Sequence, residues 1–410
     1  MNAGRRVVVT GLGALSSVGQ GKEGFWNGAM RKSGVGPVTR FDPAPFSCKI
    51  AGEIGDFDPL EHMDAKKAGR LDRFAQFSLA AARMALLDSG LDLDRQDRER
   101  VGIYMGSALG GIAFAEEQHG KFMLEGIKAV RPTLAISVFG GASSCNIAME
   151  LGVFGPNVAN ANSCASGAIA IGEAARLIAA GHADAVLAGG VECPLSQLAF
   201  GAFSMIRAMS TRNEDPGSAS RPFDRDRDGF VMAEGAGVLM LEEYESARRR
   251  GATIYAEIMG YATTNDAYSM TSPRPDSAQA IRCMKMALDD SRTDMDRIGY
   301  ISAHGSSTKL NDSGESRAIR SVSGPLKIPV SSSKSAHAHA LGASGAMELV
   351  LCSQVFSKGL LPPNLNLGEK DPECDLDIIA KDPRPSRTDR ILSNSFGFGG
   401  INACVVLGRV

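Results

Sequence analysis

The chain has 410 residues, 44% of them hydrophobic and 22% charged, which suits a globular protein with two or three domain-sized units and a large buried core. Its 44 basic and 46 acidic residues give a net charge of −2, which argues against a general nucleic-acid or anionic-membrane binder. No apolar run approaches the roughly 18 residues of a membrane span, and the eight cysteines lack CxxC or zinc-finger spacing, so we expect a cytoplasmic protein with reduced thiols and no metal.

In chain order, strand-like and helix-like segments alternate, which is the pattern of an α/β protein. The first segment, residues 7–13, is a short apolar run interrupted by glycine, so it indicates a buried strand rather than a signal peptide. The later segments of the first half are a helix ending at 84–90, a strand at 101–105, a polar strand at 157–163, and closing strands at 185–190 and 235–241.

The second half repeats this order. The helix ending MALLDSG at 84–90 is similar to MALDDSR at 286–292. Its later segments are a strand at 298–302, a polar strand at 327–333, and closing strands at 391–400 and 402–407. We interpret the chain as two copies of one α/β unit, residues 1–250 and 251–410, and the alternative is chance similarity between helix endings.

The repeat has a consequence for the site. Cys164 opens a helix in the first copy, and we expect His339 to open the matching helix in the second. A pseudo-twofold axis relating the copies brings these two helix starts together.

Cys164 lies between an extended segment of small residues and a helix pattern at 168–180. The free N–H groups and dipole of a helix N-terminus favour the thiolate, which is the reactive form of cysteine. The alternative is a small buried cysteine in a tight turn.

The histidines mark two further turns. His304 follows an apolar strand and precedes glycine and hydroxyl residues, which is typical of an active-site rim in α/β proteins; the alternative is a capping or core histidine. His337 and His339 form an HxH pair, but no third ligand lies nearby in the sequence, so we do not expect a metal site. In the glycine-rich bend at 394–400, Phe398 is a candidate backbone oxyanion donor, and the alternative is a tight turn.

Motifs along the whole chain resemble those of the β-ketoacyl-acyl-carrier-protein synthases. They are VVTGLG at 8–13, STRN at 210–213, SRPFD at 220–224, DGFV at 228–231, DAYSMTSP at 266–273 and NSFGFGG at 394–400. The resemblance implies an α/β thiolase fold, with two duplicated halves in a five-layer αβαβα arrangement. It also implies a homodimer or a heterodimer with a related ketosynthase-like subunit.

The resemblance also implies a role for individual residues. Cys164 matches the family's nucleophile, and His304 and His339 match its two histidines. The remaining implied roles are a supporting pair, Lys334 and Glu315, a gating aromatic whose N–H completes an oxyanion site, Phe398, and two residues that line a pantetheine tunnel, Ser306 and Thr308.

The implied reaction is a decarboxylative Claisen condensation, in which an acyl-cysteine reacts with a malonyl thioester. The implied partner is an acyl carrier protein, loaded with acyl or malonyl groups on its phosphopantetheine, and no separate cofactor is expected. We expect neither a nucleic-acid partner nor a membrane.

The chain departs from the usual family pattern at four places. They are His337-Ala338 in place of Thr-Gly, Ser306 in place of Thr, Ile401 in place of Thr, and Asn162-Ser163 in place of Thr-Ala. The pathway therefore stays open between fatty acid synthesis and a specialised polyketide or polyene pathway. The rival functions are a non-catalytic chain-length-factor subunit, a priming or decarboxylating homologue, and a thiolase that acts on coenzyme A esters.

Overall fold

The computed structural model describes residues 4–410, so the first three residues of the predicted first half lie outside the described part of the chain. The strands of the first half are β1 (Val7–Ser16), β2 (Gly19–Gln20), β3 (Gly36–Pro37), β4 (Ile50–Ala51), β5 (Val101–Gly106), β6 (Asn157–Asn160), β7 (Ala185–Glu192) and β8 (Gly235–Glu243). Its helices are α1 (Gly21–Ala29), α2 (Ala65–Ala68), α3 (Arg73–Ser89), α4 (Ile112–Glu125), α5 (Leu134–Ser137), α6 (Ala142–Leu151), α7 (Ser166–Ala179), α8 (Gln197–Met205) and α9 (Tyr244–Arg249).

The second half has fewer helices. Its strands are β9 (Ala256–Asn265), β10 (Tyr300–Ser302), β11 (Pro329–Ser331), β12 (Leu360–Leu361), β13 (Asp377–Ile378), β14 (Arg384–Pro385), β15 (Arg390–Gly397) and β16 (Ile401–Gly408). Its helices are α10 (Ala278–Ser291), α11 (Lys309–Ser323), α12 (Lys334–His337) and α13 (Ser344–Lys358).

The strand order shows the duplication directly. The large sheet runs β13-β11-β10-β15-β16-β9-β1-β8-β7-β5-β6. From β1 outwards, the first half reads β1-β8-β7-β5-β6, and from β9 outwards the second reads β9-β16-β15-β10-β11. In each half the two outermost pairings of this series are parallel and the two inner ones antiparallel. The predicted thiolase fold of two duplicated halves is therefore confirmed.

Helices complete the five layers. Helices α7 and α13 pack against each other and against the strands of both halves, while α3 and α6 cover the outer face of the first half and α10 that of the second. The contact between α7 and α13 uses small side chains, because a Cβ added at Gly167 would lie only 2.9 Å from the Cβ of Ala346. Helix α13 is buried from Ser344 to Phe356, as a central layer requires.

Most predicted elements are observed, with shorter strands near the turns. Strand β6 ends at Asn160, before the predicted limit at 163, and the chain then enters a turn in which Ser163 has a φ of 52°. Strand β11 ends at Ser331 because the chain continues into α12, which begins at Lys334.

Candidate active site

Cys164 lies in a one-turn 3-10 helix, Ser163–Ala165, directly before α7. We call this segment the Cys164 turn. The thiol is buried, and the hydroxyl of Ser163 lies 3.7 Å from its sulfur. Gly397 at the end of β15 packs against the turn so closely that a Cβ there would lie 3.0 Å from the backbone nitrogen of Cys164. The glycine therefore keeps space open beside the Cys164 N–H.

Burial has the largest effect on the pKa of this thiol. Burial raises the pKa of Cys164 above its ordinary value, and this outweighs the opposing effects of the Ser163 hydroxyl, the charge of Lys334 and the N–H of Phe398. The helix start therefore does not bring the pKa of this thiol below its ordinary value.

His339 does not open a helix as predicted. A second 3-10 turn, Leu341–Ala343, precedes α13 and corresponds to the Cys164 turn; we call it the Gly342 turn. His339 precedes the Gly342 turn and pairs with the segment 231–233 instead. Its N–H donates to Val231 O (2.8 Å) and its carbonyl accepts from Ala233 N (3.0 Å). These bonds hold the residue at the edge of the site, and its Nδ1 lies 2.9 Å from the hydroxyl of Ser344, the first residue of α13.

His304 follows β10 and lies beside His339. The two imidazole rings are 5.3 Å apart between centroids and nearly perpendicular, at 79°. The carboxylate of Glu315 accepts from the backbone N–H groups of His304 (2.9 Å) and Gly305 (2.8 Å), and from the side-chain amide of Asn394 (3.1 Å). Glu315 therefore fixes the backbone that carries His304.

Lys334 has a different partner from the predicted one. Its Nζ forms a buried ion pair with Glu348 on α13 rather than with Glu315. The same Nζ donates to His304 O at 2.7 Å and lies 3.4 Å from His304 Nδ1. The resemblance paired Lys334 with Glu315, but Glu315 is occupied by the three donors around His304.

The contacts at Nδ1 determine which ring nitrogen of each imidazole carries the proton. We assign the ammonium of Lys334 as donor to His304 Nδ1 and the hydroxyl of Ser344 as donor to His339 Nδ1, which places the ring proton on Nε2 in both. Burial, followed by the charge of Lys334, holds the pKa of both histidines well below its ordinary value. Both rings are therefore neutral near pH 7 and offer Nε2–H as a donor.

The bend after β15 closes the site from another side. Gly399 has a φ of 80°, in the left-handed region that glycine tolerates, so the chain turns sharply beside Phe398. The Phe398 ring stacks on Phe203 with 6.2 Å between centroids and 13° between planes. The backbone N–H of Phe398 lowers the pKa of the Cys164 thiol.

One cavity of about 430 Å³ collects these groups. Cys164, His304, His339 and Phe398 line it, together with Ser306 and Thr308. The hydroxyls of Ser306 and Thr308 lie 3.0 Å apart. All six predicted residues with a proposed contact to substrate thus share one cavity, and Lys334 and Glu315 lie behind it.

Two residues of the site were missed from the sequence. Glu348 is a single carboxylate in the otherwise uncharged helix segment 344–357, and a charge in such a helix indicates a buried partner. Ser344 gave no signal, because small polar residues at a helix start are common caps.

The HxH pair does not bring two imidazoles together on one ligand. His337 packs its ring edge against Phe25, with 5.5 Å between centroids, and its Nε2 contacts the hydroxyl of Ser333 at 3.0 Å. Within residues 4–410, no cluster of three His, Cys, Asp or Glu side chains is arranged to hold a metal ion. None of the helices in this same range is long and apolar enough to cross a membrane.

A duplicated fold that places a thiol and two neutral imidazoles in one cavity is the arrangement of an acyl-transferring enzyme. Comparison with known proteins agrees with this class. The β-ketoacyl synthase N-terminal domain matches residues 4–247, and the β-ketoacyl synthase C-terminal domain matches residues 255–368. The chain belongs to the β-ketoacyl synthase family.

Relatives extend the match to the whole chain. The chain is 43% identical over 408 residues to a 3-oxoacyl-[acyl-carrier-protein] synthase 2 of Synechocystis sp., covering 99% of this chain and 98% of the relative. The solved ishigamide ketosynthase/chain length factor superposes with a TM-score of 0.93 at 34% identity, covering 100% of both chains. One chain of the solved complex of a type II PKS acyl-carrier protein with its ketosynthase bound to the hexaketide superposes with a TM-score of 0.92 at 36% identity, covering 99% of this chain and 100% of that one.

Proposed function

We propose that the protein is a β-ketoacyl-acyl-carrier-protein synthase that performs decarboxylative Claisen condensation. The observation that carries the proposal is the single cavity that Cys164 lines together with the two neighbouring imidazoles, His304 and His339. Family membership and the curated relatives support the same reaction. We infer that substrates arrive on the phosphopantetheine of an acyl carrier protein and that no separate cofactor takes part.

In the first half-reaction, the sulfur of Cys164 attacks the carbonyl carbon of an acyl thioester. The new C–S bond forms as the pantetheine C–S bond breaks, and the thiol proton leaves with the pantetheine sulfur. The N–H groups of Cys164 and Phe398 hold the negative oxygen of the intermediate, and Gly397 leaves room for it.

In the second half-reaction, a malonyl thioester loses carbon dioxide. The electron pair of the broken C–C bond forms an enolate, whose oxygen accepts hydrogen bonds from Nε2–H of His304 and His339. The enolate carbon attacks the acyl-cysteine and expels the sulfur of Cys164. Two neutral donors suit this step, because they stabilise developing charge without protonating the enolate carbon.

Further parts of the proposal concern the surroundings of the cavity. Ser306 and Thr308 line the pantetheine tunnel, and Phe398 opens and closes it. The halves divide at residues 1–250 and 251–410. The protein works as a homodimer or with a related ketosynthase-like subunit in the cytoplasm, where its eight cysteines stay reduced. Both fatty acid and polyketide synthesis remain compatible with the relatives.

A non-catalytic chain-length-factor subunit is the principal alternative. It requires no nucleophile, whereas this chain retains Cys164 together with both imidazoles and their supporting ion pair. The retained set favours a catalytic subunit.

Intact-mass measurement tests the proposal. Wild type incubated with an acyl-loaded carrier protein should gain the mass of the acyl group, and Cys164→Ala should gain none. His304→Ala and His339→Ala should still gain it and then fail to release a β-ketoacyl product with malonyl carrier protein. Absence of an acyl adduct on wild type with saturated acyl groups of short, medium and long chain length would contradict the proposal.

A further inference from the structure

Glu192 is a buried carboxylate, at the end of β7, that the condensation mechanism does not use. It accepts four hydrogen bonds. One oxygen accepts from Ser107 Oγ (3.0 Å) and Leu109 N (3.1 Å), and the other from Ala108 N (2.7 Å) and Gly342 N (2.9 Å). The carboxylate thus joins the loop after β5 in the first half to the Gly342 turn in the second.

The duplication shows which positions of the first half correspond to Gly342 and Glu192. Gly342 occupies in its turn the place of Cys164, since each turn begins with a residue at positive φ (Leu341 at 37°, Ser163 at 52°) and leads into a central helix. The N–H of Gly342 is therefore the counterpart of the Cys164 N–H. By the same correspondence, Glu192 at the end of β7 matches Gly397 at the end of β15.

The two halves fill this matching position differently. Beside the Cys164 N–H, Gly397 has no side chain and leaves space for a substrate oxygen. Beside the Gly342 N–H, the carboxylate of Glu192 takes the space itself, within 2.7 Å of where a Cβ on Gly342 would be. The second half thus holds an internal anion where the first half receives one from the substrate.

The anchored turn leads directly to a catalytic imidazole. The Gly342 turn ends where α13 begins, at Ser344, and the hydroxyl of Ser344 contacts Nδ1 of His339. We propose that Glu192 is a positioning residue that occupies the second half's counterpart of the oxyanion site and thereby holds the Gly342 turn, Ser344 and His339 in place for the condensation step. This inference rests on the proposed function.

Glu192 also acts on the nucleophile through its charge. Burial raises the pKa of Glu192 to about 7, while the N–H groups of Ala108, Gly342 and Leu109 oppose the rise. The carboxylate in turn raises the pKa of Cys164. Removal of the charge should therefore make the thiol more acidic even though condensation becomes slower, and these two effects have opposite signs.

Glu192→Gln is the informative change, because the amide keeps the shape of the side chain and loses the charge. In one orientation its NH2 group faces the N–H groups of Ala108 and Gly342, and in the other it faces that of Leu109. In either orientation an N–H donor of the amide faces a backbone N–H donor, so a hydrogen bond is lost and the Gly342 turn is held less firmly. Glu234→Gln is the matched control: this carboxylate is equally buried but binds Arg73 and the N–H of Ile54, and it does not touch the Gly342 turn.

The experiment measures three quantities on the full-length protein: acylation of Cys164 by acyl carrier protein, condensation with malonyl carrier protein, and the pH profile of iodoacetamide alkylation. For Glu192→Gln we expect acylation close to the wild-type rate, condensation slower by roughly 10–100-fold, and an alkylation profile displaced to lower pH. Glu234→Gln should leave the ratio of condensation to acylation and the alkylation profile unchanged.

Two results would overturn the inference: wild-type condensation by Glu192→Gln, or an equal loss of both half-reactions with an unmoved alkylation profile. If Glu192→Gln does not fold, Ser344→Ala tests the same link, and condensation at the wild-type rate would then overturn it. Failure of the proposed function is distinguishable, because wild type itself would form no acyl adduct.

Discussion

The Cys164 turn and the Gly342 turn have the same backbone design and different contents. Each begins with a residue at positive φ and precedes a central helix; the Cys164 turn follows β6, whereas α12 lies between β11 and the Gly342 turn. The first presents a thiol to the cavity and an N–H beside the empty space at Gly397. In the second, Gly342 stands at the position of Cys164 and has no side chain, and the carboxylate of Glu192 fills the matching space beside its N–H.

This difference shows how a duplicated fold carries out two different functions with one backbone arrangement. The backbone supplies each half with a helix start at the common interface, and the side chains that reach that start assign its role. The first half carries the nucleophile. The second half carries the donors, His304 and His339, and the buried cation Lys334 that orients one of them.

Removal of the buried cation Lys334 should have the largest effect on stability and on condensation. Lys334→Met leaves the carboxylate of Glu348 without its ion-pair partner in a fully buried site. Loss of one partner of a buried pair costs about 3–5 kcal/mol of stability, so the melting temperature should fall and condensation should be lost. Thermal unfolding followed by calorimetry checks the first effect, and a β-ketoacyl product assay the second.

The paired replacement separates stability from chemistry. Lys334→Met combined with Glu348→Leu removes both charges, and we expect much of the lost stability to return. Condensation should stay absent, because His304 Nδ1 still lacks its donor. Recovery of condensation in the double variant would show that Lys334 acts only as a structural charge.

Replacement of either catalytic histidine should have the next largest effect on condensation. His304→Ala or His339→Ala removes one donor to the enolate oxygen, and the loss of one oxyanion donor typically costs about 2.7–4 kcal/mol of barrier, or roughly 10²–10³ in rate. Acylation of Cys164 should stay within a few fold of wild type. Rapid-quench measurement of each half-reaction checks this separation.

His337→Ala is the matched control, since its ring is buried among Phe25 and Ser333 and does not line the cavity. It should lower stability without separating the two half-reactions. An equal loss of condensation in all three variants would assign the effect to the fold of the segment rather than to the donors.

Gly397→Ala should make the first turn resemble the second. Its new methyl group would lie 3.0 Å from Cys164 N and fill the space that Glu192 fills in the other half. Displacing a reacting group by a fraction of an ångström to 1 Å can cost up to about 10²-fold, so acylation should slow by roughly 10–100-fold. Single-turnover acylation is the measurement, and an unchanged rate would place the oxyanion elsewhere.

The sequence predicted the fold and the reacting groups better than their connections. Periodicity and the repeat identified the strands of both halves, because burial in a central sheet imposes long apolar runs. The partners of Lys334 could not be predicted, since Glu315 and Glu348 are carboxylates on the two flanking helices, α11 and α13, and only the packing of α13 brings Glu348 to the ammonium. The raised pKa of Cys164 could not be predicted either, because helix position is visible in the sequence and depth of burial is not.

The smallest expected effect concerns Ser163, which precedes Cys164 in the Cys164 turn. Its hydroxyl lies 3.7 Å from the sulfur of Cys164 and lowers the thiol's pKa. Ser163→Ala should therefore raise that pKa. A single hydrogen bond contributes about 0.5–1.5 kcal/mol, so alkylation near pH 7 should slow by roughly 2- to 10-fold.

Ser163→Gly makes the same deletion and also removes the cost of a positive φ of 52° for a residue with a Cβ. Both variants should shift alkylation equally, while only the glycine variant should gain stability from the relaxed turn. A shift in the alanine variant alone would mean that the methyl group, rather than the missing hydroxyl, changes the thiol. Equal shifts would instead show that a side chain specific to the first turn tunes its nucleophile, a role for which the Gly342 turn has no counterpart.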